Sequence, residues 1–140
     1  MKVSTYLSFN GQCEAAFKFY EQVLGGQVLF SMTWGESPMA AEMPAETHKS
    51  IMHTTLKIGD GVIMGADAPP QYFSKPAGFS VSVSLPDNAE AQRIFNELSS
   101  GGEVKMPYQK TFWAEGFGMC IDKFGIPWMV NCEQANHNSE

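Results

Sequence analysis

Residues 14–30 read EAAFKFYEQVLGGQVLF, and residues 90–106 read EAQRIFNELSSGGEVKM. The stretches lie 76 positions apart and align without a gap. Seven of 17 pairs are identical: Glu14/Glu90, Ala15/Ala91, Phe19/Phe95, Glu21/Glu97, Gly25/Gly101, Gly26/Gly102 and Val28/Val104. Each copy holds a helix-length segment, a double glycine and the start of a strand. Self-similarity at a fixed interval marks a repeated supersecondary unit. Two copies are too few for a solenoid, so the pattern implies a pseudo-twofold domain with a site between its halves.

Working outward, residues 2–9 alternate as a strand, with Val3, Thr5, Leu7 and Phe9 on one face and Ser4, Tyr6 and Ser8 on the other. A helix is expected over 12–24, with Ala16, Phe19, Tyr20 and Val23 on one stripe and Gly25 as a left-handed C-terminal cap. Residues 27–34 form the next strand. The stretch GESPMAAEMPAETH at 35–48 has no sustained period and reads as a long loop with room for one helical turn. Strands follow at 51–58 and 62–66 around a tight Gly59-Asp60-Gly61 turn. The second half repeats the order. Residues 78–85 alternate Phe79, Val81, Val83 and Leu85 against Ser80, Ser82 and Ser84. Asp87 and Glu90 have the spacing of a capping box. A helix to about Ser100 buries Ile94, Phe95 and Leu98. Strands are expected at 103–110, 115–121 and 126–132, the last two joined by Asp122-Lys123-Phe124-Gly125.

Each half is thus strand, helix, strand, strand, strand. One domain of two modules is expected, at about 2–67 and 77–133, with a proline-rich linker at 68–76 and a frayed tail at 134–140. Aligning Gly61 with Gly125 lowers the offset from 76 to 64, so the first half is 12 residues longer, within the 35–48 loop. That insertion is either a tolerated surface loop or a lid over a site.

A chain of 140 residues can bury a substantial core. Its net charge of −6 and scattered basic residues exclude nucleic acid as the main partner. No apolar run is long enough to span a bilayer, and the N-terminus lacks the apolar core of a signal peptide. Cys13, Cys120 and Cys132 form no CxxC pair and read as free thiols in a reducing cytoplasm.

Three segments carry a resemblance: YLSFNGQCEAAFKFYEQVLGG at 6–26, HTTLKIGDGVIMGAD at 53–67 and TFWAEGFGMCIDKFGIPWMVN at 111–131. With the two βαβββ modules they resemble the vicinal oxygen chelate superfamily of glyoxalase I, extradiol dioxygenases and bleomycin and fosfomycin resistance proteins. The nearest resemblance is to its PhnB-like branch, which carries a 3-demethylubiquinone methyltransferase domain label. It implies an α+β fold in which the modules build a curved, cup-like, eight-stranded sheet with helices outside. A homodimer is also implied. Metal-using members draw His, Glu or Gln ligands from the first and last strand of each module, and the ion acts as a Lewis acid on two substrate oxygens.

The alternation places candidate positions for that quartet. The last strands are read with Val62, Met64 and Ala66, and with Ile126, Trp128 and Val130, toward the core. Ile63, Gly65 and Asp67, and Pro127, Met129 and Asn131, then face the cup. The quartet reads Ser4, Gly65, Ser80 and Met129, which is not a donor set for a borderline or hard divalent ion. No metal and no other cofactor is expected, and no GxGxxG loop follows the first strand.

The remaining polar candidates are His53, on the face of its strand shared with Thr55, and Asp67, its nearest potential partner for acid–base work. Each also has a structural reading, as a satisfied strand histidine and as a turn residue. TFWAEGFGM at 111–119 gathers Phe112, Trp113 and Phe117, either as core or as an aromatic wall. Two functions stay open. One is binding of a small apolar or aromatic molecule in a dimeric cup, through Tyr6, His53, Gly65, Trp113, Phe117 and Met129. The other is an enzyme using His53 and Asp67, or a non-standard metal site of His53 with Glu36, Glu42 or Glu46.

Overall fold

A computed structural model describes residues 1–133; the expected tail at 134–140 lies outside the described residues. The chain divides into two compact units, Met1–Ser74 and Lys75–Glu140, and the division falls in the proline-rich stretch. The first unit runs β1 (Thr5–Phe9), α1 (Cys13–Leu24), β2 (Gln27–Thr33), β3 (Ile51–Ile58) and β4 (Gly61–Asp67). The second runs β5 (Val81–Leu85), α2 (Asn88–Ser99), β6 (Glu103–Gln109), β7 (Ala114–Ile121) and β8 (Pro127–Glu133). Their sheets are ordered β1-β4-β3-β2 and β5-β8-β7-β6. In each, the first strand is parallel to the last and the other pairs are antiparallel. The fold is α+β, with the strands in two four-stranded mixed sheets.

One face of each sheet is covered by its helix. In the first unit Leu7, Phe9, Leu56 and Ile63 are buried with Ala16, Phe17, Tyr20 and Val23 of α1. Phe17 replaces Phe19 in the expected stripe, and Phe19 is only half-buried. The cause is Gly65 on β4. A Cβ there would come within 2.6 Å of the Phe17 ring, so the missing side chain makes room for that ring. In the second unit Phe95 lies in the same way against Gly118.

Strand pairing corrects the register read from the turns. Thr55 pairs with Met64 and Met119 with Met129, so β3 and β7 correspond at an offset of 64 but β4 and β8 at 65. The first hairpin turn is Gly59-Asp60, closed by Ile58 and Gly61. The second is one residue longer, Lys123-Phe124-Gly125, closed by the Asp122 N–H donating to the Ile126 carbonyl at 2.9 Å. Gly61 therefore corresponds to Ile126, not to Gly125. A one-residue error inverts the faces of a strand. The expected faces hold for β8, where Trp128 and Val130 are buried. They are reversed for β4, where Ile63, Gly65 and Asp67 are buried and Val62, Met64 and Ala66 are half-exposed.

β1 and β5 begin at Thr5 and Val81, later than expected, and their first ladder partners are Ile63 of β4 and Trp128 of β8. The 12-residue excess is organised by three single 3-10 turns, 34–36, 40–42 and 45–47. His48 ties them together: its Nε2 lies 2.8 Å from the Ala40 carbonyl and 3.2 Å from that of Met43. Its backbone carbonyl accepts from the Gly35 N–H at 3.0 Å.

Candidate functional site

The face of each sheet away from its helix is open. In the first unit one cross-strand row is Tyr6, Met64, Thr55 and Phe30, in the order β1, β4, β3, β2. A neighbouring row holds Ser8 beside Ala66, and His53 beside Met32. Tyr6 and Phe30 are exposed, while Met32, His53, Thr55 and Met64 are half-buried.

His53 is the ionisable group at the centre of this face. Its Nδ1 lies 3.2 Å from the Tyr6 hydroxyl and its Nε2 lies 3.1 Å from Thr55 Oγ1. Both neighbours are hydroxyls, which donate or accept, so either tautomer of the ring is satisfied. The Tyr6 and Phe30 rings stand 5.6 and 6.0 Å from the imidazole. Burial, and secondarily Cys13, pushes the Tyr6 hydroxyl above the ordinary phenol range. It therefore stays protonated at neutral pH and meets His53 as a neutral hydroxyl that can donate or accept a hydrogen bond.

Asp67 lies on the other side of the sheet and is 6% exposed. Its Oδ1 accepts from the backbone N–H groups of Gly11 at 2.9 Å and Cys13 at 3.0 Å. Its Oδ2 accepts from the Ile51 N–H at 2.9 Å. The N-cap residue Gln12 makes no side-chain cap bond. Asp67 thus supplies from β4 the acceptor that the start of α1 lacks. The expected pairing of Asp67 with His53 is replaced by that of Tyr6 with His53. Gly65 is likewise withdrawn from the open face, being packed under Phe17.

In the second unit the open face has a methionine row, Met129, Met119 and Met106, ending at Ser82 on β5. The next row is Ser84, Asn131, Phe117 and Gln109. Trp113 stands 5.5 Å from Phe117 and Phe112 stands 4.8 Å from Trp113, both edge-on, and both Phe112 and Trp113 are exposed. Trp113, Phe117 and Met129 are thus neighbours on one surface. Trp128 is on the helix side, its Nε1 donating to Asp122 Oδ2 at 2.8 Å.

The three cysteines are buried and free. Burial pushes their thiols up, to about 12 for Cys120, where Asp122 adds to the effect. Protonated, enclosed thiols are poor nucleophiles. No helix among the described residues is long and apolar enough to cross a membrane.

The family model for 3-demethylubiquinone-9 3-methyltransferase matches residues 1–131. The chain belongs to this family. The Escherichia coli protein YjdN is 37% identical over 139 residues, covering 94% of this chain and 95% of that one. The crystal structure of protein PA1353 from Pseudomonas aeruginosa is 44% identical, covers 96% of this chain and 98% of its own, and superposes with a TM-score of 0.87. The putative 3-demethylubiquinone-9 3-methyltransferase PhnB from Bacillus cereus shares the fold at 22% identity, with a TM-score of 0.79 and coverage of 94% and 99%. The fold is that of the vicinal oxygen chelate superfamily.

That fold implies a divalent metal held by the first and last strands of each module, and strand pairing now fixes those positions in this PhnB-like chain. Paired on the open face are Tyr6 with Met64, Ser8 with Ala66, Ser82 with Met129 and Ser84 with Asn131. These pairs offer hydroxyls, thioethers and one amide, and do not fit a divalent ion; the carboxylate on that face of β8, Glu133, stands exposed at the end of the strand, past the last pairing with β5. Among the described residues no three His, Cys, Asp or Glu side chains converge on a common point. Of the loop glutamates, Glu36 is already engaged, its Oε1 accepting from the Thr33 N–H at 2.9 Å.

Proposed function

We propose that this PhnB-like chain binds a small apolar or aromatic molecule on the open faces of its sheets, as a homodimer and without the superfamily's metal. One observation carries the reading. Those faces are lined by thioethers and aromatic rings, among them Met64, Phe30, Met119, Met129, Phe117 and Trp113, with His53 and Glu115 beside them and the charged Lys57 and Glu103 toward the strand ends. Methionine and aromatic linings suit flat or apolar ligands, and a few polar groups orient them. Tyr6, His53 and Thr55 supply that polar element.

Calorimetric titration of the intact protein against a panel of aromatic and apolar compounds tests this, with Trp113 fluorescence as a second readout. Saturable binding that weakens in Met129→Ala and Phe117→Ala is expected. Failure of every compound would sink the reading. Metal analysis of protein prepared without chelator is the second arm. Stoichiometric zinc, nickel, iron or manganese that disappears in His53→Ala would overturn the metal-free part.

A second reading, catalysis, is favoured by the contact of His53 with two hydroxyls. In it His53 carries the proton and Tyr6 relays it, in place of the expected Asp67. A compound that is bound equally by wild type and His53→Gln, but turned over only by wild type, would decide for it.

A further inference from the structure

The helix-covered sides of the two units are filled differently. In the second unit Tyr108 of β6 lies across the sheet: a Cβ at Gly116 would come within 2.1 Å of its hydroxyl oxygen, and one at Gly118 within 3.0 Å of its Cα. Its ring stands 5.8 Å from Phe95, and its hydroxyl donates to Asn88 Oδ1 at the start of α2, at 2.6 Å. The tyrosine thus closes the space between helix and edge strand. In the first unit Thr54 corresponds to Gly118, and the residue paired with Thr54 is Ser31. A serine therefore stands where the second unit has Tyr108. The space it leaves is a cleft of about 280 Å³ between α1, β2 and β3.

The cleft has a defined chemistry. Phe17 and Val28 give it an apolar floor, and Glu14, Lys18 and Glu21 of α1 stand at its rim. It lies on the opposite side of the sheet from His53, because Ser31 and Thr54 alternate with Phe30, Met32, His53 and Thr55. Its volume is near the lower limit of ligand pockets, which admits a fragment-sized molecule. Two carboxylates and one lysine make the rim net negative, as the whole chain is at −6, so a cation is favoured.

We propose that this cleft is a second binding site, for a small organic monocation whose apolar or aromatic body rests on Phe17 and Val28 and whose ammonium group meets Glu14 or, two turns along α1, Glu21. The site is independent of whatever occupies the open faces. Lys18, on its flexible stem, opposes the ligand's charge.

The test uses the full chain, isotope-labelled, titrated with phenethylamine and monitored through the backbone amides. Saturable shifts at Ser31 and Thr54 are expected. In Ser31→Tyr, which recreates the filled cleft of the second unit, affinity should fall about tenfold or more. Glu14→Gln with Glu21→Gln, the first exposed and the second half-buried at the rim, should weaken binding by about threefold. Lys18→Met should strengthen it. The anion 3-phenylpropionate should bind more weakly than the amine. Absence of saturation up to about 50 mM, beyond which even fragment affinities are negligible, would overturn the site. Equal binding of amine and anion, or affinity unchanged in the double glutamine variant, would overturn its charge assignment even if Ser31→Tyr failed to fold.

Discussion

Asp67 is a single side chain that holds three distant backbone positions: the turn before α1, the first residue of α1 and the first residue of β3. Removing it strands buried N–H donors, and charge-assisted bonds of this type contribute more than neutral ones. Asp67→Ala should destabilise the protein by about 3 kcal/mol. Asp67→Asn should recover only part of that, because an amide has one accepting oxygen where the carboxylate uses both. Urea denaturation of the three proteins checks the order. The sequence shows Asp67 only as an acidic residue before two prolines. Its role depends on contacts 54 and 56 residues away in the chain, which no local pattern encodes. His53 was more legible: its sharing of a face with Thr55 follows from strand alternation alone. Its contact with Tyr6 needed the placement of β4 between their strands.

At the scale of elements, the strands and helices follow from alternation, a 3.6-residue period and glycine punctuation, and these were readable. The exception is a turn. Gly61 and Gly125 look equivalent, yet the second turn has one more residue, and that displaced the faces of β4 by one position. The Phe17-for-Phe19 exchange has a similar origin, because a glycine on a partner strand, invisible from the helix, decides which ring fits. The insertion shows what sequence pattern leaves out: short 3-10 turns have no long period to detect. Its first turn is fixed by a reciprocal cap between Thr33 and Glu36. The Thr33 backbone N–H, and then its hydroxyl, hold the Glu36 carboxyl below the usual glutamate range. A carboxyl whose folded pKa is lowered stabilises the fold above its unfolded pKa, and loses that contribution as pH falls through the lowered folded value. The Thr33 amide resonance should therefore titrate below the ordinary glutamate range. In Glu36→Gln that transition should vanish while the rest of the spectrum stays unchanged. A Thr33 shift that titrates at the ordinary value would contradict the cap.

Across the whole molecule, two copies of one plan are finished by different means, and the difference sets an order in time. The helix of the second unit is capped from within, Asp87 accepting from the Glu90 N–H at 3.0 Å. That contact closes a loop of a few residues and is available as soon as the chain begins to coil. The helix of the first unit waits for Asp67, so its start cannot be secured until β4 has arrived, after the insertion and a hairpin have been traversed. Closing the longer loop costs more chain entropy, and contacts of high sequence separation form late. The second unit should therefore nucleate first. Asp87→Ala should mainly slow refolding, and Asp67→Ala should mainly speed unfolding. Stopped-flow chevrons of the two variants would measure this, and equal partition of both mutations between the two limbs would remove the asymmetry. Where a helix finds its cap, next door or at the far end of its own sheet, thus decides which half of this duplicated chain serves as the template and which arrives to complete it.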